Sequence, residues 1–216
     1  MKYILMCGGD YKRFKIPKQL LVVNKEPLAV RTIRLLKEHG VNEEDIYISS
    51  NNPMFDSCGV TRLENRKNDF TTDSTITFTG YWLDAFYPSK EPTTYLFGDV
   101  YFTEDAIKTI VNYKTDRNVL FGTSDAKNEQ HENWGEPFAY IVNDTETFFK
   151  GVNDVKKLHD KGKIKRHPIV WELYRYLHDL DINIQTITTD YECIDDGTMD
   201  VDTLEELEEI RKRVGV

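Results

Sequence analysis

The hydrophobic pattern opens with an unbroken apolar run, Tyr3 to Cys7, of the length of a strand buried on both faces. Leu28 to His39 then carries Leu28, Ile33, Leu35 and Leu36 at helical spacing, and Gly40 follows as the residue type that commonly ends a helix. Asp45 to Ser49 reads as a second strand, Ser74 to Phe86 as a second helix, Thr94 to Phe97 as a third strand and Thr103 to Tyr113 as a third helix. Thr103 is a suitable N-cap, with Glu104 and Asp105 in the first turn where carboxylates suit the helix dipole. Alternating strands and helices predict an α/β protein with a mostly parallel sheet.

Asn118 to Gly122 and Phe138 to Val142 read as further strands around Thr123 to Pro137, a polar stretch long enough for a functional loop. Thr145 to Lys161 and Pro168 to Asp179 read as helices, Pro168 suiting a first helical position. Ile182 to Thr188 reads as a strand and Leu204 to Val214 as a charged amphipathic helix. Trp171, Tyr174 and Leu177 recur at helical spacing and read as core. There is no internal repeat and no low-complexity linker, so 216 residues are expected to form one domain.

Composition narrows the function classes. With 39% hydrophobic and 30% charged residues, no apolar stretch approaches the roughly 18 residues of a membrane span, and no membrane partner is expected. The chain starts in a strand rather than in a signal-like segment, so the expected location is cytoplasmic. Cys7, Cys58 and Cys193 are scattered and suggest neither a disulfide framework nor a zinc site. A net charge of −9 argues against a nucleic-acid partner, so any anionic ligand must be met by local groups.

Such groups follow the first strand: Gly8-Gly9-Asp10-Tyr11-Lys12-Arg13, then Ile16-Pro17-Lys18-Gln19-Leu20. Gly8 and Gly9 let the backbone turn and approach a ligand, while Lys12, Arg13 and Lys18 can neutralise phosphate charge. A plain turn with solvated cations fits the same residues. Neither a Walker A loop nor a G-x-G-x-x-G fingerprint is present.

Cys7 to Arg13 and Pro17-Lys18-Gln19-Leu20 resemble the opening of the GT-A-type nucleotidyltransferases, a hydrophobic strand with A-[AG]-G-x-G-x-R and then P-K-x-L. That family joins a nucleoside triphosphate to a phosphorylated sugar, alcohol or related acceptor and releases pyrophosphate. Tyr11 stands where the family has its second glycine. Three further segments follow in the family's order. Asp73-Ser74 matches the base-recognition segment, although both are good helix caps. Leu96-Phe97-Gly98-Asp99-Val100-Tyr101-Phe102 matches the segment whose aspartate holds magnesium, and Met199-Asp200-Val201-Asp202-Thr203-Leu204 resembles the closing D-T-P-E-D-L pattern. Asp195 and Asp196 lie close by.

The resemblance implies a Rossmann-like three-layer α/β/α sandwich with a mostly parallel central sheet. It divides the chain into a nucleotide part (1–121), an acceptor part (122–190) and a closing metal-site segment with its helix (191–216). It implies Arg13 and Lys18 as catalytic cations, and Cys7, Gly8, Gly9, Asp10, Tyr11, Lys12, Asp73, Ser74 and Gly98 as nucleotide contacts. Asp99 with Asp202, or with Asp200, would hold Mg²⁺. Acceptor contacts are expected from Trp134, Glu136 and Tyr140 in a glycine-and-aromatic loop suited to a sugar or a cationic head group.

The cations from Lys156 to Lys165, with Arg166 and His167, read either as an acceptor-phosphate site or, preferably, as a solvated helix end. No histidine sits in a pattern for nucleophilic catalysis. The expected reaction is Mg²⁺-dependent nucleotidyl transfer to a phosphorylated small molecule such as a sugar phosphate or phosphocholine, serving surface-polysaccharide precursors. The alternatives are a GT-A glycosyltransferase using a nucleotide-sugar, and an inactive nucleotide-binding relative kept open by Tyr11. A homodimer is the expected assembly, as for most soluble oligomers.

Overall fold

The computed structural model describes residues 1–8, 14, 16–64, 81–124 and 135–215. In chain order its elements are β1 (Lys2–Met6), β2 (Val22–Val23), β3 (Glu26–Pro27), α1 (Leu28–Glu38), β4 (Ile46–Ser49), β5 (Thr61–Leu63), β6 (Thr93–Phe97), β7 (Val100–Tyr101), α2 (Glu104–Asn112), β8 (Val119–Gly122), β9 (Pro137–Val142), α3 (Thr145–Asp160), α4 (Val170–Leu177), β10 (Tyr191–Cys193), β11 (Met199–Asp200) and α5 (Leu204–Arg213).

Seven strands form one sheet in the order β10-β8-β9-β6-β1-β4-β5. β1 runs parallel to β6 and β4, with Met6 level with Phe97 and Ser49. The carboxyl ends of these strands therefore share one edge, where open α/β sheets bind ligands. Gly8 and Gly98-Asp99 leave the sheet there. Only β9 runs against its neighbours, placing Tyr140 opposite both Tyr95 and Leu120. The sheet is thus mostly parallel, as the alternating pattern predicts.

The helices follow the sequence reading closely. α1 buries Leu28, Ala29, Ile33, Leu35 and Leu36, and Gly40 beyond its end takes φ +89°, a conformation that disfavours side chains. Thr103 caps α2, its hydroxyl accepting from the Ala106 N–H at 3.0 Å, and Asp144 caps α3 by accepting from the Thr147 N–H at 3.0 Å. Phe148 of α3 packs edge-to-face on Phe86 and Tyr140, with ring centroids 5.0 and 5.1 Å apart. This aromatic cluster ties helix to sheet beneath β6 and β9.

Three expectations are revised. Of the helix expected over residues 74–86, residues 74–80 lie outside the described residues, and Trp82–Ala85 is a single 3₁₀ turn. Its first amide, Tyr81 N–H, donates to the Asp84 carboxylate at 2.9 Å. Ile182 to Thr188 is not a strand, and the pairing with β8 is made by β10 instead. The isoleucine alternation there imitates a strand, but Ile184 is 57% exposed. Pro168 precedes α4 rather than opening it. Among the described residues no helix is long and apolar enough to cross a membrane.

Candidate active site

The acidic centre is assembled by a pairing only two residues long. β7, directly after Asp99, pairs antiparallel with β11, so that Val100 faces Asp200 and Tyr101 faces Met199. The Val201 N–H donates to the Asp99 carbonyl at 3.1 Å, extending the contact one residue. Asp202 lies just before α5, where Thr203 accepts from the Glu206 N–H at 3.2 Å and the Glu206 carboxylate accepts from Asp202 and Thr203 N–H groups at 2.7 Å. This capping box fixes the turn that carries Asp202. Leu207 and Ile210 of α5 pack with Val23, Leu28 and Val201 in a second small core, which holds the C-terminal segment against β2 and the start of α1.

Asp99, Asp200 and Asp202 consequently each offer an oxygen, all within 4.8 Å of one another. Lys18, in a short 3₁₀ turn over Lys18–Leu20, places Nζ 2.8 Å from Asp99 Oδ2 and also donates to Asp202 Oδ1. Burial opposes the Lys18 charge, yet Asp99, the bonds to Asp202 and Asp99, and Asp200 outweigh it and raise its pKa. For Asp200 the balance goes the other way. Burial first, then the charges of Asp99 and Asp202, push its carboxyl up to about 8 against the opposing pull of Lys18. Three hard oxygen donors with a surplus of negative charge fit a divalent cation such as Mg²⁺.

These groups line a cleft of about 500 Å³, within the size range of small-molecule sites. Gly8, Trp82, Phe97, Glu136, Arg166 and Trp171 also line it. Glu136 is held by its backbone, which donates to the Thr123 hydroxyl and accepts from the Thr123 N–H, both at 2.9 Å. Burial, followed by the charges of Asp202, Glu206 and Asp99, pushes its carboxyl up to about 7. Trp82 stands edge-to-face on Phe97 at 5.3 Å, giving the cleft an aromatic wall.

Of the residues singled out in the sequence, the structure brings Gly8, Lys18, Asp99, Glu136, Asp200 and Asp202 to this one cleft. Gly98 and Cys7 lie behind it. A Cβ on Gly98 would stand 2.7 Å from both the Met6 carbonyl and the Cys7 sulfur, so glycine permits the close approach of β6 to β1. Cys7 is buried and its N–H donates to the Ser49 carbonyl at 2.9 Å. Tyr140 is corrected from acceptor contact to core residue, since its ring is fully buried against Phe86 and Phe148. Gly9, Asp10, Tyr11, Lys12, Arg13, Asp73, Ser74 and Trp134 lie outside the described residues.

Asp195 and Asp196 hold loops rather than joining the cluster. Asp195 accepts from the Ser124 N–H at 2.9 Å, and Asp196 accepts from the Thr198 N–H at 3.0 Å. Trp82 escapes the sequence reading because it sits in the segment read as helix, and Trp171, read as core from its helical spacing, is nearly buried yet also walls the cleft. Arg166 belongs to the cation-rich run for which a solvated helix end is the preferred reading, and the structure places it on the cleft wall, its Nε 2.7 Å from Glu172 Oε1.

The mostly parallel sheet and its topology define a nucleotidyltransferase-type α/β fold, as solved structures show. No family model matches the chain, and no curated protein matches it by sequence. A Bacillus anthracis protein assigned as a glucose-1-phosphate thymidylyltransferase, solved with sucrose, superposes with a TM-score of 0.60 at 15% identity, covering 99% of this chain and 94% of that one. The CTP:phosphocholine cytidylyltransferase of Streptococcus pneumoniae gives 0.57 at 17% identity, over 99% and 98% of the two chains. The inositol-1-phosphate CTP transferase of T. maritima gives 0.53 at 13% identity, over 99% and 95%. At these identities the likeness is one of fold.

Proposed function

We propose that the protein is a Mg²⁺-dependent nucleotidyltransferase that joins a nucleoside triphosphate to a phosphorylated small molecule and releases pyrophosphate. The observation carrying this reading is the convergence of Asp99, Asp200 and Asp202 with Lys18 in one cleft at the carboxyl edge of the sheet. The solved proteins of this fold named above include enzymes of that class, which supports the reading. The whole chain acts as one domain, residues 1–121 serving the nucleotide and 122–190 the acceptor.

An acceptor phosphate oxygen attacks the α-phosphorus in line, a new P–O bond forms, and the bond to the departing pyrophosphate breaks. The proton balance needs no base, because the attacking group is already an anion. Asp99, Asp200 and Asp202 would hold Mg²⁺, which when bound supplies charge neutralisation to the phosphates. Lys18, kept protonated by Asp99 and Asp202, lends a fixed positive charge at the same point. Arg13 adds a second cation from the segment after Gly8, and Gly8 with its neighbours approaches the triphosphate. Glu136 and Trp134 contribute to the acceptor side.

The test is a matrix of four nucleoside triphosphates against sugar phosphates, phosphocholine and polyol phosphates, read as pyrophosphate. Release that needs both substrates and Mg²⁺ is expected. Nucleotide-dependent stabilisation without release from any pair would point instead to a binding protein, and transfer from a nucleotide-sugar to a glycosyltransferase.

A further inference from the structure

Lys18 sits in the acidic cluster on contacts that a metal ion would contest. Its Nζ lies 2.8 Å from Asp99 Oδ2 and donates also to Asp202 Oδ1, so one ammonium ties together two of the three clustered carboxylates. The lysine comes from the turn after β1, Asp99 from the end of β6 and Asp202 from the turn before α5. An ammonium is a compact point charge with three donors, suited to bridging carboxylates in the manner of a small cation. Mg²⁺ takes carboxylate oxygens at about 2.0–2.1 Å, closer than an N–H···O contact. Bound to the same pair, it would set a double positive charge beside the ammonium, and like charges that close repel.

The backbone that carries Lys18 is held in place. The Leu20 N–H donates to the Pro17 carbonyl and the Leu21 N–H to the Lys18 carbonyl, both at 2.9 Å, which closes the 3₁₀ turn. Gln19, 5% exposed, is wedged against Gly98, where an added Cβ would stand 3.0 Å from Gln19 Cγ. What can move is the side chain, whose flexible four-carbon stem lets the ammonium swing while the turn stays still. An ion reaches the cluster from the Asp202 side, since that carboxylate is 58% exposed against 28% for Asp99 and 16% for Lys18.

We infer that Lys18 is the resident counter-ion of the metal site: Mg²⁺ and the ammonium compete for Asp99 and Asp202, and metal entry turns Lys18 out of the cluster into the cleft. Its positive charge thus stays in the cleft, passed from carboxylates to phosphate. That last role rests on the nucleotidyl-transfer reading, whereas the exchange is testable with metal alone. Mg²⁺ is titrated into the full-length protein by calorimetry without nucleotide, with circular dichroism melting as the check on folding. Lys18→Met is expected to bind Mg²⁺ at least about fivefold tighter than wild type, since a charge in contact with the site is removed. A lysine that helped to hold the metal would give the opposite sign. Lys18→Arg keeps the charge and is expected to bind no tighter than wild type. Lys37→Met removes an exposed cation paired with Glu43 and is expected to change the affinity less than about twofold, which separates local competition from net charge. In a crystal structure of wild type with Mn²⁺, located by its anomalous scattering, Nζ is expected to lie beyond about 3.5 Å from at least one of the two carboxylates. Equal or weaker Mg²⁺ binding by folded Lys18→Met, no binding by either protein, or Nζ still bonded to both carboxylates beside the ion overturns the inference. Should Lys18→Met fail to fold, the wild-type structure with Mn²⁺ decides. Exchange in a protein that never releases pyrophosphate would uphold the inference and count against nucleotidyl transfer alone, and pyrophosphate release without exchange would do the reverse.

Discussion

Replacing Asp200 by Asn separates the stability of the acidic cluster from its use. Its oxygen lies within 4.8 Å of one from Asp99, and at an effective dielectric of about 20 two unit charges at that separation repel by about 3 kcal/mol. Lys18 and solvent screening reduce the net relief to about 1–2 kcal/mol. Asn keeps the shape and still accepts from the Val201 N–H, which lies 2.7 Å from Asp200 Oδ1. The Asp200 carboxyl, pushed up to about 8 in the folded chain, holds a proton that the unfolded chain releases near its ordinary value. Folding therefore takes up a proton between these limits, and this contribution to stability is lost as pH rises through about 8. In EDTA, Asp200→Asn is expected to match wild type near pH 5 and to melt about 2–8 °C higher near pH 9. Added Mg²⁺ should raise the wild-type melting temperature and leave the variant almost unmoved. A variant less stable than wild type at pH 9 without metal would refute the reasoning.

Lys18→Ala and Asp99→Ala are each expected to lower pyrophosphate release at least about a hundredfold in steady-state assays, as losing a preorganised electrostatic partner does. Gly98→Ala drives a Cβ to 2.7 Å from the Met6 carbonyl, and urea titration should register a loss of about 1–3 kcal/mol. Phe148→Ala empties a fully buried site against Phe86 and Tyr140, with an expected loss of about 3–5 kcal/mol by the same titration. Thr203→Ala removes the cap of the turn carrying Asp202, so a stability loss of about 1 kcal/mol should come with weaker Mg²⁺-dependent stabilisation.

The frame was legible wherever a single local force decides the structure. Leu28, Ile33, Leu35 and Leu36 mark the buried face of α1, Thr103 marks the start of α2, and the apolar runs of β1 and β6 mark strands covered on both faces. The meeting of Asp99 with Asp200 and Asp202 could be expected from family resemblance but not from periodicity. It depends on β7 and β11, each two residues long, which leave no repeating pattern. Strand direction was likewise hidden, since the apolar run of β9 reads the same in either orientation. Ile182, Ile184 and Ile187 misled because alternation records spacing and not burial, and the Ile182 carbonyl is taken by Arg175 instead of a ladder. Arg166 was obscured by the cations around it, because only the tertiary contact with Glu172 distinguishes a wall of the cleft from a solvated turn.

The central claim is transfer of a nucleotidyl group, and label transfer tests it most directly. Wild-type protein is incubated with Mg²⁺, a nucleoside triphosphate labelled at the α-phosphorus, and the phosphorylated acceptors of the matrix. The label is expected to move into a nucleoside-diphosphate-linked acceptor, one pyrophosphate being released per product, and Asp99→Ala should abolish the transfer. Label that stays in the triphosphate, or leaves only as the monophosphate, with every acceptor would contradict it.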